Sequence, residues 1–166
     1  MKIPQNLAAV LVSAVLSAGI PFQAKATECK PVKAHAISFL TTTGCTSPIG
    51  LCDTGTISGN LGLNGAIEFF TVDSTAPGPS TAPNPSTTLS YSGILEITTN
   101  HGTLITRDTG VFDTSTGTST SGFSSAFATV IDGTGKYQGA SGYLFFAGKP
   151  VNGHFETPIS GELCLP

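Results

Sequence analysis

The sequence predicts an all-β fold, an eight-stranded antiparallel β-barrel closed by disulfides, on three observations. Short segments of alternating apolar and polar residues recur along the chain, bounded by Gly, Asn, Asp or Pro turn signals. Beyond Ala26, no long stretch suits a helix. Of the four cysteines, Cys29 and Cys164 lie near opposite ends of the chain, and Cys45 and Cys52 lie close together. A length of 166 residues suits one domain.

Met1 to Ala26 reads as a Sec-type signal peptide. Lys2 gives the positive start, Leu7 to Ile20 the apolar run, and Ala24-Lys25-Ala26 the small-x-small cleavage pattern before Thr27. The apolar run is shorter than the roughly 20 residues a spanning helix needs. Export to the periplasm or the medium makes disulfides the expected use of an even cysteine count. Four cysteines allow three pairings. The nearness of Cys45 and Cys52 favours a bond across one loop, which leaves Cys29 and Cys164 to join the ends of the mature chain.

Lys33 to Thr42 is the first expected strand, with His35, Ile37 and Phe39 on one face and Ala34, Ala36 and Leu40 on the other. Thr54 to Leu61 and Ala66 to Asp73 form a hairpin about Gly62-Leu63-Asn64-Gly65, whose Asn-Gly pair suits a tight turn. Ser74 to Ser86 is proline-rich and aperiodic, an extended solvated loop. Thr88 to Thr99 and Thr103 to Phe112 make the clearest hairpin, turned by the three residues Asn100-His101-Gly102. That loop length pairs Ile97 with Ile105 and Leu95 with Arg107. It puts Arg107 on the face of Tyr91 and Val111, and Asp108 on the opposite face with Leu104 and Phe112. Ser119 to Ile131, Gly142 to Ala147 and Gly153 to Cys164 complete the set of eight. In the last, Phe155, Ile159 and Leu163 face one way, and His154, Glu156 and Glu162 the other. Closing such a sheet removes its exposed edges. The interior of an eight-stranded barrel is either filled by side chains or holds one small ligand.

Between the sixth and seventh strands, Asp132 to Gly142 carries Gly133, Gly135, Gly139 and Gly142, with Tyr137 as the one bulky residue, a plug beneath the turn. Dinucleotide and P-loop sites need a helix after their glycines to hold the anion. Here the strand-like Tyr143-Leu144-Phe145-Phe146 follows, so the turn reads as structural. The run Gly133-Thr134-Gly135-Lys136-Tyr137-Gln138-Gly139-Ala140-Ser141-Gly142 resembles the G-T-G-x-F/Y-x-G-A-x-G turn of allene oxide cyclase-like barrels and the related dirigent proteins. The segments Thr106 to Asp113 and Ile159 to Cys164 are similar to those of small exported bacterial members. The resemblance implies an eight-stranded barrel whose cavity accepts an apolar or amphipathic small molecule. In the relatives, plant enzymes cyclise an unstable fatty-acid epoxide and dirigent proteins steer phenoxy-radical coupling, both by holding a reactive substrate in one conformation. The matched turn is scaffold, and the plant enzymes' catalytic positions have no matched counterpart in this chain.

Charge narrows the partners. Only 10% of the residues are charged and the formal net charge is −3. Loss of Lys2 and Lys25 with the signal peptide leaves about −5. This is no electrostatic footprint for nucleic acid, and no basic amphipathic stretch suits a membrane surface. Arg107 is the leading ligand-binding candidate, a guanidinium that could hold a carboxylate. Tyr91 on the same face could add a hydroxyl, and Glu68 or Glu96 could be a lumen acid of raised pKa. Of the histidines, His101 sits in a turn, His154 with Glu156 on a polar face, and His35 is the one able to point inward. They share no metal-ligand spacing, and there is no G-x-S-x-G nucleophile elbow. Neither metal nor cofactor is expected. The expected function is an exported barrel that binds a small apolar or amphipathic molecule in its lumen. Its rivals are an isomerase or cyclase acting by confinement, and a filled barrel serving as a structural or surface-interaction module. Association into oligomers is compatible with any of them.

Overall fold

The computed structural model describes residues 28–76, 86–115 and 122–166. The expected signal peptide, most of the proline-rich segment and the start of the sixth expected strand lie outside these residues. The eight strands are β1 (Glu28–Thr41), β2 (Cys52–Gly59), β3 (Gly65–Thr75), β4 (Thr88–Thr99), β5 (Gly102–Asp113), β6 (Phe123–Gly133), β7 (Ser141–Val151) and β8 (His154–Leu165). Each pairs antiparallel with its neighbours in chain order, and β8 pairs back onto β1 to close the barrel. β1, β3, β5 and β7 run longer than expected from the sequence. β1 begins at Glu28 rather than Lys33, so that Cys29 lies directly opposite Cys164 in the β1–β8 ladder.

Two disulfides fix this arrangement, Cys29–Cys164 across the closing seam and Cys45–Cys52 across the β1–β2 loop. With a sequence separation of 135, the first removes much loop entropy from the unfolded chain, about 4–5 kcal/mol in the chain-entropy view. Among the described residues no helix is long and apolar enough to cross a membrane.

The two ends of the barrel differ. At the end bearing the β2–β3, β4–β5 and β6–β7 turns, Val32, Leu63, Ile97, Leu104, Tyr137, Leu144 and Leu163 are all fully buried and fill the interior. Tyr137 comes from a single 3-10 turn, Gly135–Tyr137, which the glycines allow: Gly135 and Gly139 have φ of 56° and 73°. The turn is latched to two neighbouring loops. Lys136 N donates to His101 O at 2.8 Å, and Lys136 Nζ donates to Leu61 O at 2.9 Å. The Tyr137 hydroxyl donates to the same carbonyl at 3.4 Å. The glycine-rich run is thus a stopper.

The wall is apolar on both sides. Ile37, Phe39, Phe123, Phe127, Ile131 and Phe145 face outward, while Ala36, Ser38, Ala126, Ala128 and Val130 of the same strands point in. Phe127, Tyr143 and Phe145 form an outer aromatic cluster with ring centroids 5.3–6.1 Å apart.

Removing the stopper's ring should open the sealed end. Tyr137→Ala is expected to cost about 3–5 kcal/mol, read by urea unfolding. Tyr137→Phe, which keeps the ring and loses the hydroxyl's bonds to Leu61 O and the Thr99 side chain, should cost about 1–2 kcal/mol.

Candidate functional site

Above the filled end, the lumen opens into a cavity of about 390 Å³ that leads to the mouth at the β1–β2 and β3–β4 loops. The volume exists because small residues occupy the inner face at this level. Ser38, Thr71, Ser124 and Ala126 stand where larger side chains would fill an eight-stranded barrel. Two glycines shape the wall further. A Cβ on Gly93 would collide with the Phe69 ring, and one on Gly110 would crowd the Tyr91 ring. Those two rings therefore occupy the space over the two glycines and meet edge to face, 5.8 Å apart. Across the lumen, Phe112 and Phe155 make a second edge-to-face pair at 6.0 Å.

Into this apolar setting project two carboxyl groups and one phenol, from Asp53, Asp108 and Tyr91. Asp108 is 4% exposed, and its Oδ1 accepts a 2.6 Å hydrogen bond from Thr106 Oγ1. Burial pushes its pKa up to about 7, against the lowering effect of that bond. Asp53 Oδ1 is sealed from solvent and has no hydrogen-bond partner among the described residues. Burial raises its pKa to about 6. The Tyr91 pKa is also raised, first by burial and then by the negative charge of Asp108 and Asp53, which places the phenol within the field of both. Among the described residues no Lys, Arg or His lines the cavity.

The expected ligand-binding residues are redistributed. Tyr91 lines the lumen. Arg107 does not: it is exposed on the outer face, and Asp108 takes the inward position. The cause is the β4–β5 turn. Thr99 pairs with Gly102, so the loop has two residues rather than three, and Gly102 belongs to β5. Leu95 then faces Thr106 and Gly93 faces Asp108. A slip of one residue exchanges the two faces of a strand. Glu68 and Glu96 are likewise outside, directly opposite each other across β3 and β4. His35 is exposed rather than inward. His154 stands 3.7 Å from Glu156, which also meets Lys149 at 3.4 Å. These residues do not converge on the cavity. Nor does Gly65, expected in a turn, which pairs within the β3 ladder.

Two functional candidates escaped the sequence reading. Asp53 alternates with Gly55 and the inward Ile57, which is the period-two signal that could have found it. Asp108 shares parity with Leu104 and Phe112, the apolar set of its own strand. Among the described residues, one group of three potential metal donors lies close together, Cys29, Glu162 and Cys164, but the disulfide occupies both sulfurs. The chain matches no family profile, no curated protein and no solved structure.

The two buried acids link stability to pH. Both hold their protons more tightly folded than unfolded. Their contribution favours the fold below pH 3.8 and is lost as pH rises through about 6 for Asp53 and about 7 for Asp108. A tenfold change in proton affinity is worth about 1.4 kcal/mol. Unfolding stability is therefore expected to fall by a few kcal/mol between pH 4.5 and pH 8. In the Asp53→Asn, Asp108→Asn double variant, urea titrations at the two pH values should show most of that fall removed.

Proposed function

We propose that this protein binds a small apolar or amphipathic molecule in the upper half of its barrel. The observation that carries the reading is the cavity of about 390 Å³, apolar over most of its wall and bearing a few convergent polar groups. Its volume falls within the range of small-molecule sites. A filled barrel accounts for the sealed end but not for this space. The proposal includes export from the cytoplasm, supported by two disulfides, which persist in oxidising compartments, and by the leader-like Met1 to Ala26. It also retains kinship with allene oxide cyclase-like barrels, supported by the Gly133 to Gly142 sequence.

One observation favours a second reading, an isomerase that confines its substrate. Asp53 and Asp108, with pKa values of about 6 and 7, could give and recover a proton near neutrality at the wall of a largely apolar cavity. Turnover is to be sought only once a ligand is known.

The neutral fluorophore N-phenyl-1-naphthylamine tests the lumen directly. Its emission is expected to rise and saturate on addition of the oxidised protein. Ala126→Trp, which directs an indole into the cavity, should weaken uptake about tenfold or more, about 1.4 kcal/mol, with the far-ultraviolet circular dichroism unchanged. Equal uptake by that variant would place the probe outside the lumen and sink the proposal.

A further inference from the structure

The charges inside the barrel all have one sign. In the cavity, the described residues that can ionise are Asp53, Asp108 and Tyr91, and each of them can become only neutral or negative. The walls beside them are aromatic, with Phe69 and Tyr91 on one side and Phe112 and Phe155 on the other. Among the described residues the sealed Asp53 Oδ1 has no donor, and none that lines the cavity is basic. A buried acceptor left without a donor is costly. A cation in the cavity beside the Asp53 carboxyl group, which lines it, would offset that cost electrostatically.

We infer that the natural ligand of the lumen is an amine, with an aryl or alkyl body among the aromatic walls and an ammonium group held by Asp53 and Asp108. The inference rests on the lumen-binding reading above and specifies its ligand. An ammonium matches the site in three ways. It donates to carboxylates through short charge-assisted bonds, and it interacts favourably with aromatic faces. It also compensates carboxylates whose ionisation burial opposes. A fatty-acid anion would bring a third negative group against two acids with no cation among the described lining residues to balance them.

Proton release follows. At pH 6.5 the two acids are partly protonated, and a bound ammonium favours their ionised forms, so amine uptake expels protons into the buffer. Neither of the other readings of the lumen requires this.

The test uses the oxidised mature protein and three ligands that share one body: 4-phenylbutylamine, 4-phenylbutanol and 4-phenylbutanoate. At pH 7.5 the amine is expected to bind roughly tenfold or more tightly than the alcohol, and the carboxylate most weakly. The amine-to-alcohol ratio should collapse toward one in the Asp53→Asn, Asp108→Asn variant. Each single variant should show part of the effect, which guards against a folding defect in the double variant. Calorimetry at pH 6.5 in buffers of different ionisation enthalpy should show protons released on binding amine and not on binding alcohol. An alcohol or carboxylate that binds as well as the amine overturns the inference and leaves the lumen reading standing. So does an amine preference that survives both substitutions. If none of the three binds and N-phenyl-1-naphthylamine is not taken up, the lumen reading fails as well.

Discussion

Closure of β8 onto β1 is the constraint on which the rest depends. The seam runs from Glu28 opposite Leu165 to Ser38 opposite Phe155, and the Cys29–Cys164 bond locks its outer end. Once eight strands are joined in a ring, the diameter is no longer adjustable, and the interior can be varied only through the size of inward side chains. Large ones below give a packed end. Small ones above, at Ser38, Thr71, Ser124 and Ala126, leave a chamber between the aromatic rings. The difference between scaffold and site is therefore a difference of volume along the same strands, with no separate element added to make a pocket.

The chamber carries an electrostatic load that the packed end does not. A carboxylate in an apolar setting loses hydration and reverts toward the neutral acid unless a partner compensates it. Asp108 has one hydroxyl partner, from Thr106, and Asp53 Oδ1 has none among the described residues. Their cost to the fold is tolerable because the seam, the disulfides and the stopper hold the barrel independently of them. Strain of this kind usually persists where binding or chemistry uses it.

Much of the architecture was legible from local chemistry. Alternation and turn residues located eight strands, and cysteine positions anticipated the seam. The glycine-rich run with its lone tyrosine reads as a plug in both sequence and structure, since Tyr137 has no exposed surface. Facing was harder to read. In β1 and β6 the larger apolar residues, Ile37, Phe39, Phe127 and Ile131, lie outside, so hydrophobicity does not mark the inner face. In β5 the assignment hung on one residue of loop length. Gly102, taken as turn, is strand with a φ of 132°, and the resulting register exchanged Arg107 for Asp108. The site turned on that exchange, because a guanidinium lumen and a carboxyl lumen recognise opposite ligands. The fold survives a misplaced turn residue; the chemistry does not.

The covalent seam has a topological effect. With Cys29 bonded to Cys164, the chain between them, which holds nearly all of the eight strands, becomes a circle of polypeptide. A single cut at a surface turn such as Asn152-Gly153 would leave every strand in place on one connected molecule, because the circle would open without dividing. Reading order is then a property of the gene more than of the barrel. A circularly permuted gene starting at any exposed turn, with the old ends joined through the seam, would encode the same cylinder, chamber and stopper.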